Sequence, residues 1–157
     1  MAGNSRYSQG NYVVQNPDKY VGGKSPFARS SWETAFMRFC DNHPNILKWA
    51  SENVKIPYRN PITGKITNYV PDFMVQYQDK NGKTLVELIE IKPKSQTIIE
   101  NAKGRGDKMA TTVNAAKWTA AQEWCKAKGI HFKVITEDQI FKNNRKRNST
   151  QRKPRRK

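Results

Sequence analysis

The chain has 157 residues, which suits one domain with a substantial core and some peripheral length. Its 29 Lys and Arg residues against 13 Asp and Glu residues give a net charge of +16, which indicates a polyanionic partner: most simply nucleic acid, or else an anionic membrane. No run is long enough for a spanning helix and no signal peptide opens the chain, so we expect no membrane partner. The two histidines are far apart in the sequence, so there are few candidate ligands for a zinc site. Cys40 and Cys125 are expected to be reduced core residues of an intracellular protein.

Residues 1–29 form a segment with little apolar periodicity. They are rich in Asn, Gly and Ser, and Tyr7, Tyr12 and Tyr20 are their aromatic anchors. This pattern predicts an extended N-terminal arm that lies over the domain or onto a partner. A poorly ordered terminus is the alternative interpretation.

The first helix is predicted over residues 31–42, because apolar side chains recur there at helical spacing. Ser30, just before this helix, and Glu33, in its first turn, match the S-x-x-E capping box. In this motif the two side chains accept hydrogen bonds from backbone N–H groups at the helix start. Glu33 therefore has two interpretations, as a capping residue and as a functional acid.

Three strands follow in close succession. Polar turns at residues 60–65 and 79–83, both with Gly, separate them. Consecutive strands joined by short turns predict an antiparallel meander. The predicted strands are Ile46 to Tyr58, with an irregularity near Ala50 and Ser51, Thr67 to Tyr77 and Thr84 to Lys92.

A polar linker from Lys94 to Gly106 leads to the longest predicted helix, Asp107 to Lys128, which Gly129 ends as a C-cap. A fourth strand over residues 130–135 should lie parallel to the third, because a strand–helix–strand crossover joins them. The apolar face of the helix is expected to carry Met109, Val113, Ala116, Ala120 and Trp124.

Thr136 and Gln139 are suited to cap a last short helix through Phe141. From Lys142 onward the chain has nine Lys or Arg residues and no acid, so this tail cannot form a core and should be disordered alone. The chain thus divides into an arm (1–29), a domain (30–141) and a basic tail (142–157). The element order of the domain predicts an α/β sandwich around a mixed sheet.

One end of the predicted hairpin concentrates charge. Asp72 lies early in the second strand, and Glu90 and Lys92 lie on one face at the end of the third. Antiparallel pairing brings Asp72 close to both. An acid on such a strand costs free energy unless it is paired, solvated or bound to a metal, so this arrangement predicts a site.

These residue types suit metal-assisted hydrolysis of a phosphodiester. The carboxylates of Asp72 and Glu90 are hard ligands for Mg²⁺ or Mn²⁺, and the carbonyl of Ile91 is a further candidate ligand. Lys92 can contact the attacking water or the phosphate. Glu33 would add a ligand if the first helix packs over this end of the sheet. The structural alternative is an aspartate that merely begins a strand and a Glu–Lys ion pair at an exposed strand end, which contributes little.

Three segments carry a resemblance to known nucleases: residues 29–33 (RSSWE), 69–73 (YVPDF) and 90–93 (EIKP). Together with the element order, they resemble the PD-(D/E)XK nuclease superfamily over residues 30–135. They are most similar to the TnsA-type branch and, within it, to the small basic head completion nucleases of tailed, T-even-like phages. The likeness extends to residues 16–20 (NPDKY) of the arm.

The resemblance implies a restriction-endonuclease-like core in which Asp72, Glu90 and Lys92 are catalytic and Glu33 is the helix acid. It implies a Mg²⁺- or Mn²⁺-dependent endonuclease that acts on packaged double-stranded phage DNA before the neck and tail attach. The expected locations are the virion head or neck and the host cytoplasm, and the expected protein partners are portal or neck proteins. Glu90 stands where the transposase branch often has Gln, and there is no room for that branch's second domain, which argues against transposition.

The basic residues of the linker, the start of the long helix and the tail are expected to bind DNA. Their composition suits phosphate contacts more than base readout. Two alternatives stay open: a junction resolvase on the same fold, and a non-catalytic DNA-binding protein of the head or neck. The expected DNA-binding residues are Lys94, Lys103, Arg105, Lys108, Arg145, Lys146, Arg147, Arg152, Lys153, Arg155, Arg156 and Lys157.

Overall fold

The computed structural model describes residues 9–98 and 102–139. In this part of the chain a four-stranded sheet lies between two helices, and two short ribbons accompany it. No helix of these two ranges is long and apolar enough to cross a lipid bilayer. The elements are β1 (Gly10–Asn11), β2 (Phe27–Ala28), α1 (Ser31–Asn42), β3 (Ile46–Ser51), β4 (Ile56–Arg59), β5 (Ile66–Tyr69), β6 (Phe73–Gln78), β7 (Thr84–Ile91), α2 (Arg105–Lys128) and β8 (His131–Ile135).

The central sheet has the strand order β3-β6-β7-β8. Its first three strands are antiparallel, and β8 is parallel to β7. Alternate side chains of β6 and β7 enter two separate hydrophobic clusters: Phe73 and Ile89 pack with α1, whereas Leu88 packs with α2. The predicted restriction-endonuclease-like order of helix, antiparallel meander, helix and parallel strand is therefore confirmed.

Helix α1 begins with the predicted capping box. The Ser30 hydroxyl accepts a hydrogen bond from the Glu33 N–H at 3.2 Å, and Glu33 Oε2 accepts one from the Arg29 N–H at 3.2 Å. At the other end the His43 N–H donates to the carbonyl of Phe39. The cap fixes the first turn of α1, and with it the position of Glu33.

The expected irregularity near Ala50 and Ser51 in the strand Ile46–Tyr58 is a complete break in the structure, and the expected strand Thr67–Tyr77 is wrong as a single strand. The first is divided into β3 and β4, and the second into β5 and β6. Two residues explain the breaks: Glu52 has a φ of +49°, in the left-handed region, and Pro71 has no N–H for a ladder. As a result β4 and β5 pair with each other as a separate ribbon, and Asp72 lies at the kink.

The turn between β6 and β7 sets their register. Asp79 Oδ1 accepts hydrogen bonds from the N–H groups of Asn81 and Lys83, both at 2.9 Å, and Gly82 has a φ of +76°. With this turn in place, Phe73 pairs with Ile89. The residue before Phe73 therefore lies beside the end of β7.

Helix α2 begins two residues earlier than expected and ends at Gly129, whose φ of +70° fits a C-cap. Its buried face is centred on Thr111, Asn114, Ala121 and Cys125. Of the expected apolar face, Val113, Ala116, Ala120 and Trp124 pack partly against the core. Met109 is 45% exposed, so its assignment to the packed face is wrong. Cys40 and Cys125 are both buried and unpaired with each other.

The last strand begins at His131, one residue later than expected. The N–H and the hydroxyl of Thr136 donate to Gln139 Oε1 at 2.7 and 2.6 Å, and residues 137–139 are helical. The rest of the expected short helix, including Phe141, lies outside the described residues, as does the basic tail.

The N-terminal arm lies on the domain from residue 9 onward. Its β1 and β2 segments pair, and the ring of Tyr20 packs 4.7 Å from that of Trp49. The Val21 N–H donates to the Trp49 carbonyl at 2.9 Å, so the arm covers part of the outer edge of β3. Tyr7 lies outside the described residues.

A buried aspartate in α1 fixes this arm. The carboxylate of Asp41 accepts hydrogen bonds from the Tyr12 hydroxyl at 2.8 Å and from the N–H groups of Gln15 and Asn16 at 2.7 and 3.0 Å. Burial raises the pKa of Asp41, but these bonds outweigh it and hold the pKa below its ordinary value. Asp41 thus connects the arm to the helix that carries Glu33.

We expect Asp41→Asn to reduce the free energy of unfolding by about 2–3 kcal/mol, because the amide cannot accept all three bonds. The pKa of Asp41 is lowered on folding, so the advantage of wild type is fully present above the ordinary value of 3.8 and shrinks as the pH falls below it. Urea titrations at several pH values measure it. Asp18→Asn, an exposed change in the same arm, is the control; equal stability of the two variants would contradict the role of Asp41.

Candidate active site

Asp72 lies where the register of β6 and β7 requires, beside the last residues of β7. Its carboxylate Oδ2 accepts a hydrogen bond from the Ile91 N–H at 2.8 Å. The backbone of Ile91 is thus in contact with Asp72, and the expected role of its carbonyl as a metal ligand stays a prediction.

Glu90 is almost fully buried on the α2 side of the sheet. The Tyr69 hydroxyl donates to its Oε2 at 2.5 Å, and the Lys92 ammonium lies 3.7 Å from its Oε1. The Glu90 side chain is only 5% exposed, so the alternative of a solvated ion pair at a strand end does not describe this contact. Asp72, Glu90 and Lys92 therefore meet at one end of the hairpin.

The surroundings of Asp72 and Glu90 disfavour the ionisation of both side chains. Burial raises the pKa of Asp72 above its ordinary value, and it outweighs the Ile91 N–H and the Lys92 charge. Burial and then the charge of Asp72 raise the pKa of Glu90, against the opposing effects of the Tyr69 hydroxyl and of Lys92. The ionised forms of both carboxylates are therefore less stable here than in water, chiefly because the side chains are buried.

Glu33 lies on the α1 side of the same sheet end. Burial and the charge of Asp72 raise its pKa to about 7, although its carboxylate also accepts hydrogen bonds from the Arg29 N–H and the Ser30 hydroxyl. The capping role is therefore visible in the structure, and Glu33 is also close enough to Asp72 to interact with its charge. Its catalytic role stays a prediction.

Two residues near Glu90 were not identified from the sequence. Tyr69 positions Glu90, and Lys117 of α2 places its ammonium 5.7 Å from the centroid of the Tyr69 ring. The sequence did carry a signal for Lys117. It is a charged residue four positions after Val113 and three before Ala120, which places it on the predicted apolar face of the helix. On the other side of the site, Arg29 pairs with Glu52 at 3.1 Å, and both charges influence Asp72.

Four of the expected DNA-binding residues are among the described ones, and all four are exposed: Lys94, Lys103, Arg105 and Lys108. Lys94 pairs with Asp138 at 3.2 Å, a solvated contact that DNA phosphate can replace. The other three lie at or just before the start of α2. The eight expected residues of the tail lie outside the described ranges.

Comparison with known proteins agrees with this geometry. The family model of the TnsA-like endonuclease N-terminal region matches residues 43–137. The chain belongs to the TnsA-like endonuclease family. The chain is also 35% identical over 140 residues to the head completion nuclease of Enterobacteria phage T4, an alignment that covers 82% of this chain and 91% of that protein. The family resemblance predicted from the sequence is confirmed, and the matched region contains Asp72, Glu90 and Lys92 but not Glu33.

The superfamily of the TnsA-like endonucleases implies a divalent metal, and the carboxylate pair fits one. Its donors are oxygens, which suit Mg²⁺ or Mn²⁺, and a cation beside Asp72 and Glu90 would relieve their repulsion. Within residues 9–98 and 102–139, no three His, Cys, Asp or Glu side chains form a group that could hold a metal ion, and the expected role of Glu33 as a further ligand stays a prediction. Mg²⁺ usually binds through one or two carboxylates and fills its shell with water and substrate phosphate.

We expect Tyr69→Phe to weaken the site without removing a ligand, because it leaves a buried Glu90 oxygen without its donor. The rate of phosphodiester cleavage and the affinity for Mn²⁺ should each fall by roughly tenfold or more. Single-turnover assays and calorimetric Mn²⁺ titration measure the two effects.

Tyr77→Phe is a matched control, because the Tyr77 hydroxyl donates to Glu87 Oε1 at 2.7 Å earlier on β7. Tyr69→Phe should lose about 1–3 kcal/mol of unfolding free energy and Tyr77→Phe, whose hydrogen bond is only part-buried, should lose less; only Tyr69→Phe should lose cleavage. Equal cleavage by the two variants would show that Tyr69 has no role beyond stability.

Proposed function

We propose that this protein is an endonuclease that hydrolyses phosphodiester bonds in double-stranded DNA with Mg²⁺ or Mn²⁺. The observation that carries the proposal is the meeting of Asp72, Glu90 and Lys92 at the end of the β6–β7 hairpin, in a chain of the TnsA-like endonuclease family. The net charge of +16 supports a polyanionic substrate.

Each residue of the site has a distinct role in this proposal. Asp72 and Glu90 would hold the cation, which when bound would supply an acidified water and offset charge on the phosphate. The Lys92 ammonium lies beside Glu90 at 3.7 Å and is 29% exposed, so it can reach a water or a phosphate oxygen from solvent. Tyr69 keeps Glu90 oriented, and the Ile91 N–H does the same for Asp72.

We also propose that the protein acts in phage head completion, on packaged DNA and before the neck and tail attach. The support is the similarity to the phage T4 protein of that name over most of both chains. In this proposal the protein works in the host cytoplasm and in the virion head or neck, where portal or neck proteins are its partners. The basic residues at the start of α2 and in the tail bind phosphates without reading sequence.

We expect the purified full chain to nick or linearise supercoiled plasmid in Mg²⁺ or Mn²⁺ and not in EDTA. Glu90→Gln and Lys92→Ala should reduce the single-turnover rate by about 100-fold or more, because each removes a group that stabilises the transition state. Their affinity for DNA should stay within about threefold of wild type, since phosphate contacts elsewhere dominate binding.

Glu87→Gln is the control for Glu90→Gln, because Glu87 lies earlier on β7 and pairs with Tyr77 outside the site. It should cleave at the wild-type rate. Wild-type activity in EDTA, or full activity of purified Glu90→Gln, would contradict the proposed mechanism. DNA binding without cleavage under any divalent metal would instead favour a non-catalytic head or neck protein.

Glu33→Gln separates the two roles of the helix acid. Gln retains a side-chain oxygen that can accept from the Arg29 N–H and the Ser30 hydroxyl, so the cap and the melting temperature should be preserved. If Glu33 acts with Asp72, the loss of its charge should lower the cleavage rate by at least about tenfold. Thermal unfolding and cleavage are measured on the same sample; normal values of both would leave Glu33 with a capping role alone.

A further inference from the structure

Lys117 is the second lysine of the active site and has no role so far. It lies midway along α2, and its half-buried side chain faces the β4–β5 ribbon. The ammonium is 5.9 Å from the centroid of the Tyr58 ring and 5.7 Å from that of the Tyr69 ring. Two aromatic faces at these distances attract a cation and hold it in place.

Lys117 forms no ion pair within the described ranges. The ion pairs of the described ranges are Arg29–Glu52, Lys92–Glu90 and Lys94–Asp138, and none includes Lys117. Burial lowers the pKa of Lys117, the charge of Lys92 lowers it further, and Glu90 and Asp72 raise it. Lys117 is thus close enough to Lys92 for the two cations to repel each other, and an anion between them would relieve this repulsion.

An open groove gives such an anion access. It has a volume of about 400 Å³, and both Lys92 and Lys117 line it. Its walls are the turn after β4, the segment after β7 and the first half of α2, which contribute Asn60, Thr63, Gln96 and Asn114. The groove is large enough for a part of a polynucleotide chain, and its charged end is the end beside Glu90.

We propose that Lys117 is a further catalytic residue, whose ammonium contacts a non-bridging oxygen of the phosphate that is cleaved, opposite Lys92. The inference rests on the proposed nuclease function and extends it to a residue on α2. No bond forms or breaks at Lys117; its charge offsets the negative charge that grows on the phosphate oxygens. The two tyrosine rings keep the ammonium in position before the substrate arrives, so little ordering is needed at the moment of reaction.

The test compares Lys117→Met, which removes the charge and keeps most of the length, with Lys117→Arg, which keeps the charge. Lys126→Met, an exposed change near the end of the same helix, is the matched control. Each full-length variant is assayed for single-turnover plasmid cleavage, for the salt dependence of duplex DNA binding in EDTA, and for thermal unfolding.

We expect Lys117→Met to cleave about 100-fold more slowly than wild type and Lys117→Arg to recover most of that loss. The log–log slope of DNA binding against salt should fall by about one for Lys117→Met, because one phosphate contact is lost. Lys126→Met should match wild type in both assays.

Three results would overturn the inference. If wild type cleaves and Lys117→Met cleaves equally fast with the same salt slope, Lys117 contacts no phosphate, and the proposed function stands. If Met and Arg at this position slow cleavage equally and lower the melting temperature equally, the residue only packs against the tyrosines. If wild type itself fails to cleave, the proposed function fails. In that case an unchanged salt slope for Lys117→Met also rejects the phosphate contact, whereas a slope lower by about one supports the contact.

Discussion

The pairing register between β6 and β7 is the constraint on which the whole site depends. The Asp79 turn fixes it, and Phe73 pairs with Ile89 as a result. Asp72 then lies beside the backbone of Ile91, and Glu90 points to the α2 side of the sheet. A slip of one residue would turn Glu90 to the α1 side and bury it among apolar residues, so fold and site share one requirement.

This register brings two carboxylates together out of water, and the surrounding groups balance their charge only in part. On the α2 side Tyr69 donates to Glu90, and Lys92 and Lys117 lie close by. Glu33 is a further acid on the α1 side, and the negative charge of Asp72 disfavours its ionisation. Such a group of buried or half-buried acids destabilises the folded protein, and it is explained if the protein binds a divalent cation and a phosphate there.

Much of this arrangement could be predicted from the sequence, because it depends on local signals. The capping box before α1, the two polar turns and the alternation along β7 all act within a few residues, and they place Asp72 near Glu90 and Lys92. An irregularity near Ala50 and Ser51 was predicted, but the separate β4–β5 ribbon was not, since it depends on a left-handed Glu52 that no local pattern requires.

Long-range contacts account for the other omissions. Asp41 accepts hydrogen bonds from an arm more than twenty residues away, and its burial could not be read from α1 itself. Lys117 reaches the site only because α2 packs on the β4–β5 ribbon, a contact that exists only after the hairpin kinks. Periodicity alone placed Met109 on the packed face, whereas in the structure it lies beside the open groove.

The central claim is that Asp72 and Glu90 together form a divalent-cation site, and anomalous diffraction tests it most directly. Crystals of the full chain are soaked in MnCl₂, and an anomalous difference map is calculated near the manganese edge. The account predicts a peak within about 2.0–2.5 Å of a carboxylate oxygen from each of the two residues. A map with manganese bound elsewhere and no peak between Asp72 and Glu90 would contradict it.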